Sequence, residues 1–407
     1  MKLLDAALDH HVTQGSLDII YADGTRRRFG EQGPAPIVVR FTDRKAPWDI
    51  VRDPRLGAGE MYMEGRMTID PPHDVYDLVD LITLNGAWER PGQDRKLMGK
   101  RTGRIMARIE RYNARQSSKR NVAHHYDLND RLYDLFLDAD RQYSCAYFTD
   151  PGNSLDQAQA DKKAHIAAKL YLKPGQKVLD IGCGWGGLAL YLNRVADVDV
   201  LGVTLSEEQL KVARRRAEEA GVADRVRFEL IDYRDVTGSF DRIVSVGMFE
   251  HVGPPQYRTF FNTCRNLLTP DGVMLLHTIG RMGGPGLTDK WTRKYIFPGG
   301  YSPALSEIVR AVEGLKFIIS DVEVLRLHYS YTLDHWYRTT VAQRAAIEAV
   351  YDARFFRMWQ FYLAGAAAAF RHGGLVNYQV QLIKTRTALP LTRDYMGEAE
   401  QALRAKG

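Results

Sequence analysis

The sequence predicts an α/β protein built on a doubly wound, mostly parallel seven-stranded sheet, with a smaller N-terminal α+β domain. From residue 177 onward, short apolar runs typical of buried strands alternate with stretches of helical period. The first of these runs passes directly into a glycine-rich loop and then into a helix. Before residue 90, shorter strand-like runs are separated by hairpin turns, which favours a small mixed domain.

Length and composition indicate a folded protein of about two domains. The chain has 407 residues, of which 45% are hydrophobic and 26% charged, as in ordinary globular proteins. Cys145, Cys183 and Cys264 are far apart and odd in number, so we expect free thiols in a reducing compartment. Neither a signal peptide nor an apolar run of bilayer length is evident, and a cytoplasmic location is therefore expected.

The N-terminal region carries strand and turn signals but no catalytic cluster. Ser16–Tyr21 reads as a strand that runs into the hairpin turn Asp23-Gly24-Thr25, Ile37–Phe41 reads as a second strand, and Val75–Leu84 has a helical period. We predict a scaffold or lipid-docking domain. The predicted parts of the chain are this domain (1–90), a basic linker helix (91–120), a catalytic domain (121–390) and a C-terminal tail (391–407).

The linker is strongly basic. Arg95–Arg120 contains ten basic residues and one acidic residue, an excess larger than the net charge of +6 of the whole chain. Apolar residues among the cations predict an amphipathic helix. A solvated linker and a helix on an anionic membrane surface both remain open. A nucleic-acid patch is less favoured, because Tyr112 is the single aromatic residue, and no nucleic-acid partner is expected.

The catalytic region predicts one ligand crevice. Parallel strands of such a sheet present their carboxyl ends to the ligand, so the polar residues that follow them should converge. The predicted strands are Val178–Ile181, Val198–Val203, Val226–Ile231, Arg242–Val246, Val273–Ile279, Phe317–Leu325 and Leu375–Lys384. The residues at their ends are Gly182–Gly187, Thr204-Leu205-Ser206, Asp232-Tyr233, Glu250-His251 and His277-Thr278-Ile279.

The glycine loop admits two cofactors. Gly182, Gly184 and Gly187 fit the GxGxxG spacing of dinucleotide enzymes, which alone is a weak signal. With Asp180 the loop resembles the first motif of class I S-adenosylmethionine-dependent methyltransferases. A carboxylate would repel a pyrophosphate but attract the amino and sulfonium groups of S-adenosylmethionine, which favours the second cofactor. An NAD-linked oxidoreductase remains the alternative, although a clear acidic ribose ligand is missing downstream.

The motifs along residues 120–385 resemble those of the cyclopropane-fatty-acyl-phospholipid synthase family, which is related to the mycolic acid cyclopropane synthases. The resemblance implies a class I methyltransferase, Rossmann-like fold. The N-terminal part is similar to the extra domain of longer bacterial members only loosely. The motifs are HYDLND (125–130), QYSCAYF (142–148), VLDIGCGWGG (178–187), GVTLSEEQ (202–209), IDYRD (231–235), SVGMFEHVGP (245–254), LLHTIG (275–280), KYIFPGG (294–300), HY and TLDHW (328–336), and FRHGG and NYQ (370–379).

The resemblance, read with the strand ends, implies two sets of site residues. Thr204 stands where methyltransferases commonly place an acidic ribose ligand, so the ribose contact differs from the usual pattern. The S-adenosylmethionine site would comprise Tyr143, Ser144, Asp180, Gly182, Gly184, Trp185, Gly186, Gly187, Thr204, Leu205, Gln209, Asp232 and Tyr233. A bicarbonate ion, which acts as the base in this family, would be held by Cys145, Glu250, His277, Tyr329 and the backbone of Ile279.

The implied reaction is methylene transfer to the cis double bond of an unsaturated phospholipid acyl chain. Such an alkene is a poor nucleophile, so it must be aligned with the sulfonium in a dry site. A branched methyl or methylene product from the same class of enzyme is one alternative. A lipid-binding protein without catalytic activity is another, but such a protein would be expected to have lost its anion ligands, and all of them are present in this sequence. Cys145 alone could equally be a small buried hydrophobe. Zinc on Cys145, Glu250 and His277 has no spacing signature, so no metal is expected.

The expected surroundings of the enzyme follow from the same resemblance. We expect a homodimer that is cytoplasmic and peripherally associated with the inner face of the cytoplasmic membrane. Its partners would be the unsaturated phospholipid and the anionic membrane surface.

Overall fold

A computed structural model describes residues 2–33, 35–90 and 130–406. The predicted basic linker helix, 91–120, lies outside the described residues, as does the HYDLND motif except for its last residue. The predicted domain boundaries near residues 90 and 120 therefore stay predictions.

The described elements alternate between helices and strands in the order that the sequence predicts. The strands are β1 Ser16–Ile20, β2 Arg26–Gly30, β3 Ile37–Phe41, β4 Met67–Ile69, β5 Lys177–Ile181, β6 Asp199–Thr204, β7 Val226–Leu230, β8 Phe240–Val246, β9 Leu268–Arg281, β10 Ile318–Leu325 and β11 Leu375–Ile383. The helices are α1 Lys2–His11, α2 Ala46–Arg52, α3 Pro54–Met63, α4 Val75–Asn85, α5 Asp130–Asp134, α6 Leu155–Leu170, α7 Gly187–Ala196, α8 Glu207–Glu219, α9 Tyr257–Leu267, α10 Lys290–Tyr295, α11 Leu305–Val312, α12 His328–Ala342, α13 Arg344–Val350, α14 Ala353–Arg371 and α15 Asp394–Arg404.

Two compact units are formed, and each draws on separate stretches of the chain. The first takes its described residues from Met1–Gly99, Thr288–Pro298 and Ser330–Leu375. The second takes its described residues from Lys100–Leu287, Gly299–Tyr329 and Val376–Gly407.

The first unit contains a four-stranded sheet in the order β2-β1-β3-β4. β1 and β2 form the predicted antiparallel hairpin, and β3 runs parallel to β1. Asp74 caps the predicted helix α4, because its Oδ1 accepts the backbone N–H of Tyr76 at 2.8 Å and satisfies one of the free donors at the helix start. The expected N-terminal α+β architecture is confirmed.

The second unit contains a seven-stranded sheet in the order β10-β11-β9-β8-β5-β6-β7. β5 lies parallel to both β6 and β8, while β10 and β11 are antiparallel to each other. All seven predicted strands are present, so the predicted doubly wound fold is confirmed. The strand order reverses between β5 and β8, and the crevice at their carboxyl ends is where such sheets bind ligands.

Both faces of this sheet are covered by helices. Successive residues of a strand point to opposite faces, so Leu179 of β5 packs in one apolar cluster and Val178 in the other. On the first face Phe260 of α9 and Ile308 of α11 are fully buried. On the second face α6, α7 and α8 provide the covering residues. Burial on both sides explains why the strands read as continuous apolar runs.

The residues predicted as a C-terminal tail include α15, which packs on α6. His165 of α6 lies between Glu400 of α15, at 3.0 Å from Nδ1, and Glu323 of β10, at 2.8 Å from Nε2. The ring of His165 also stacks on Tyr147, with 4.0 Å between centroids. None of the helices in the described ranges combines the length and the apolar character needed to cross a bilayer.

Candidate functional site

The glycine loop turns sharply between β5 and α7. Gly182, Gly184 and Gly186 have φ angles of 84°, 54° and 82°, in the left-handed region that glycine tolerates best. A Cβ on Gly182 would lie 2.8 Å from the Met248 side chain, whereas a Cβ on Gly184 would meet no protein atom within 4 Å. Gly184 therefore presents bare backbone to open space, as close approach of a ligand requires.

A pocket at the carboxyl ends of β5, β6 and β8 brings most of the predicted cofactor residues together. Gly186 is the exception, because it faces the interior, where an added Cβ would lie 2.6 Å from the Phe228 ring. The predicted residues that line the pocket are Tyr143, Ser144, Asp180, Gly182, Gly184, Trp185, Gly187, Thr204, Leu205, Gln209, Asp232 and Tyr233. That these residues contact S-adenosylmethionine stays a prediction.

The pocket carries two carboxylates in different electrostatic states. Asp180 is 2% exposed, and burial raises its pKa to about 7, against an opposing effect of Lys162. Its Oδ2 has no hydrogen-bond partner among the described residues. Asp232 is instead paired with Arg234, whose Nη2 donates to Oδ2 at 2.6 Å. The carboxyl of Asp180 is thus the one left to interact with a ligand cation.

The segment 142–145 is held in the pocket by α6. Gln159 Nε2 donates to the backbone carbonyls of Gln142 and Ser144, both at 3.1 Å. One turn later, Lys162 Nζ donates to Gln142 Oε1 at 2.7 Å and to Ser144 Oγ at 2.9 Å. Lys162 is 1% exposed, and burial lowers its pKa to about 8.

Sequence reasoning missed these α6 residues. The available signal was a glutamine and a lysine three residues apart, which share one face of the helix. Met248 and Gln256 also line the pocket without having been singled out. The nearby His251 lines it too, and burial lowers the pKa of this imidazole to about 4, so the ring is neutral near pH 7.

Of the residues predicted to hold an anion, Glu250 and Ile279 are in direct contact. The backbone N–H of Ile279 donates to Glu250 Oε1 at 2.6 Å, while Oε2 is buried and has no partner among the described residues. Glu250 is 9% exposed, and burial raises its pKa to about 7, with the Ile279 N–H acting against that rise.

The remaining three predicted anion ligands are buried. Cys145 is 1% exposed, and its thiol donates weakly to the carbonyl of Ala146 at 3.3 Å. Tyr329 is 6% exposed and lies in the first turn of α12. Burial lowers the pKa of His277 to about 3, so its ring is neutral. The roles of these residues stay predictions.

Two amides from β11 flank the His277 ring. Asn377 lies 3.3 Å from Nε2 and Gln379 lies 3.1 Å from Nδ1. A neutral imidazole has one N–H donor and one acceptor, so one amide must present its oxygen and the other its NH₂. Both amide oxygens otherwise lack partners within the described residues. The pair therefore fixes the orientation of the ring.

The comparisons with known proteins agree with this fold. A family model described as "Mycolic acid cyclopropane synthetase" matches residues 113–380. A "Probable fatty acid methyltransferase" of Pseudomonas putida is 42% identical over 68% of this chain and 73% of its own. The "Cyclopropane-fatty-acyl-phospholipid synthase" of Escherichia coli K12 is 40% identical over 86% of this chain and 88% of its own. Among solved structures, mycolic acid cyclopropane synthase CmaA1 complexed with SAH and CTAB has 34% identity and a TM-score of 0.62, covering 65% of this chain and 97% of that one.

Proposed function

Because the chain belongs to the mycolic acid cyclopropane synthetase family and is an S-adenosylmethionine-dependent methyltransferase, we propose that it cyclopropanates unsaturated phospholipid acyl chains. In this proposal the activated methyl group of S-adenosylmethionine reaches a cis double bond and becomes the methylene bridge of the ring. The similarity to the Escherichia coli synthase, which spans both compact units, supports this substrate class.

The observation that carries the proposal is the unpartnered carboxylate oxygen of Glu250. It is buried, and Glu250 lies in the chain between the pocket-lining residues Met248 and His251 without lining the pocket itself. A buried acceptor without a partner costs free energy unless a ligand satisfies it. Ring closure requires a proton acceptor, and Glu250 can either accept the proton itself or hold a small anion that accepts it.

The bonds balance without an oxidant or reductant. The alkene π electrons form a C–C bond to the methyl carbon as the C–S bond breaks, which leaves a carbocation on the chain and a neutral thioether. Loss of a proton from the new methyl group then leaves its C–H electron pair to close the ring. A proton next to a carbocation is very acidic, so a weak base is sufficient.

We propose bicarbonate as that base. The residues fit it in part, because Glu250 Oε2 can accept a hydrogen bond from an acidic O–H, and the thiol of Cys145 and the hydroxyl of Tyr329 are donors for an oxyanion. His277 fits less well, because it is neutral and both of its ring nitrogens already lie within hydrogen-bond distance of the Asn377 and Gln379 amides. The Ile279 N–H fits less well, since it already donates to Glu250.

The dependence on bicarbonate can be measured directly. Removing dissolved carbon dioxide should slow product formation, and adding bicarbonate back should restore the rate without raising the affinity for S-adenosylmethionine. A rate that stays constant from thorough depletion to excess would contradict bicarbonate as an exchangeable base.

A second candidate product is favoured by one comparison. The Pseudomonas putida relative is named a probable fatty acid methyltransferase and is 42% identical, against 40% for the cyclopropane synthase, over a smaller share of this chain. In that case the same carbocation would lose a proton without closing the ring, which leaves a methyl- or methylene-branched chain with one carbon–carbon double bond. The two products share every step up to the carbocation and differ only in how it is quenched.

The test of the proposed function is mass spectrometry of unsaturated phospholipid vesicles incubated with the protein and S-adenosylmethionine. We expect the acyl chain to gain one CH₂ unit and to lose its double bond. A gain of one CH₂ unit with a carbon–carbon double bond retained would instead establish the branched-chain reaction. We also propose a homodimer associated with the inner face of the cytoplasmic membrane, which light scattering and vesicle sedimentation would check.

A further inference from the structure

Lys162 is a buried cation in the cofactor pocket without an anionic partner. Lys162 lines the pocket and is 1% exposed, yet its ammonium forms no ion pair with a carboxylate of the described residues. Burying an unpaired charge costs several kcal/mol, roughly, unless a partner compensates for it. Burial lowers the pKa of Lys162 to about 8, so the charged form still predominates at neutral pH.

Two other lysines on the same helix, the partly buried Lys163 and the buried Lys169, are each paired with carboxylates. Lys163 Nζ lies 2.5 Å from Asp140 Oδ2. Lys169 contacts Glu323 and lies 3.5 Å from Asp321. Lys162 makes its two hydrogen bonds to neutral oxygens instead, those of Gln142 and Ser144. The missing anion is therefore expected to come from a ligand.

The carboxylates that interact electrostatically with Lys162 already have other hydrogen-bond or ion-pair partners, or are suited to a cationic group of the ligand. Asp140 is held by both Lys163 and Arg216. Asp138 accepts the backbone N–H groups of Asp140 and Gln142, at 3.1 and 2.8 Å, and interacts with Lys162 only through longer-range attraction. Asp180, also buried in this pocket, is suited to a cationic group of the ligand.

We infer that Lys162 is a positioning residue that acts through the Ser144 hydroxyl to recognise the carboxylate of the methionyl group of S-adenosylmethionine. The inference rests on the use of S-adenosylmethionine and not on the nature of the lipid product. The cofactor carries a carboxylate, an ammonium and a sulfonium, and the pocket offers the opposite charges in Lys162 and Asp180.

The hydrogen-bond directions explain how one residue acts through the other. Lys162 Nζ donates to Ser144 Oγ, so the hydroxyl proton of Ser144 must point away from the ammonium and remains available as a donor. Donation by a cation polarises that hydroxyl and strengthens the bond it makes to an anion. Gln159 holds the backbone of the same segment through two carbonyls, which keeps the hydroxyl in place.

The test compares two ligands that differ in the carboxylate. Titration calorimetry would measure the binding of S-adenosylmethionine and of decarboxylated S-adenosylmethionine to the wild type and to Lys162→Met. We expect the substitution to weaken S-adenosylmethionine binding roughly 10-fold or more, the usual value of a charge-assisted hydrogen bond, and to change binding of the decarboxylated ligand by less than about 3-fold.

Lys169→Met is the matched control, because it also removes a buried ammonium from α6 but does not line the pocket. This control substitution should weaken the binding of both ligands equally or leave the binding of both unchanged. If Lys162→Met does not fold, Ser144→Ala keeps the inference testable, since it should show the same selective loss. Equal weakening of both ligands by Lys162→Met or by Ser144→Ala would overturn the inference, and failure of the wild type to bind S-adenosylmethionine would instead overturn the cofactor assignment.

Discussion

A methyl group added at Gly184 should weaken cofactor binding while leaving the fold intact. The Cβ of Gly184→Ala would project into the pocket with no protein atom within 4 Å, so it creates no clash in the ligand-free protein. The folding cost is then the left-handed backbone alone, at φ 54°, which is about 1–2 kcal/mol for a residue other than glycine. For a chain of this size we expect the melting temperature to fall by only a few degrees.

The cost to binding should be larger and specific. A methyl group forced into a packed contact costs about 1–3 kcal/mol, which corresponds to a loss of affinity of roughly 5- to 150-fold. Titration calorimetry with S-adenosylmethionine measures this loss, and differential scanning calorimetry measures the effect on unfolding. Gly184→Val should remove binding altogether.

Gly175 provides a matched control for this prediction. It also has a left-handed φ, 76°, and its Cβ would also meet no atom within 4 Å, but it lies in the turn before β5 and does not line the pocket. Gly175→Ala should therefore show a similar loss of stability with unchanged affinity. Equal affinities of the two variants would refute the placement of the cofactor against Gly184.

The remaining predictions concern the anion ligands and the linker. Burial raises the pKa of Glu250 in the folded protein to about 7. The contribution of the protonated carboxyl to the stability of the folded protein is therefore fully present below the pKa of Glu250 in the unfolded chain, and it is lost as pH rises through about 7. Glu250→Gln should therefore gain thermal stability relative to the wild type at about pH 8 and lose that gain near pH 5, while its activity falls at every pH; a pH-independent difference in melting temperature would contradict this. Cys145→Ser keeps a donor and should lose less activity than Glu250→Gln in initial-rate assays, so a greater loss would argue against the thiol as a simple donor. Reversing several charges within Arg95–Arg120 should weaken binding to anionic vesicles by about 1 kcal/mol per reversed residue and reduce the dependence of that binding on salt, both measured by sedimentation. Unchanged binding would favour the solvated linker.

Local patterns were sufficient to predict the sheet and most of the pocket. Apolar runs buried on both faces identify the parallel strands, and the residues after Ile181 and Thr204 must then lie at one edge. Asp180 is visible in the sequence because it interrupts an apolar run immediately before the glycines. These inferences needed only chain order and the direction of each strand.

Contacts that depend on packing between distant segments could not be predicted in this way. Nothing local shows that Lys162 contacts Ser144, because the two residues belong to a helix and an irregular segment that only the fold brings together. The two amides around His277 come from β11, a hundred residues later in the chain. Gly186 was predicted as a ligand contact because of its motif, and that contact stays a prediction; the sequence does not reveal that Gly186 is absent from the pocket lining or that a Cβ built on it would meet Phe228.

The most direct test of the central claim uses S-adenosylmethionine with a trideuterated methyl group. If the transferred methyl group loses one proton to close a ring, the phospholipid product should retain two of the three deuterium atoms and contain no double bond at the reacting position. Tandem mass spectrometry of vesicle lipids measures both properties. A product that retains all three deuterium atoms, or one that keeps a carbon–carbon double bond, would contradict cyclopropanation and establish a branched-chain methyltransferase.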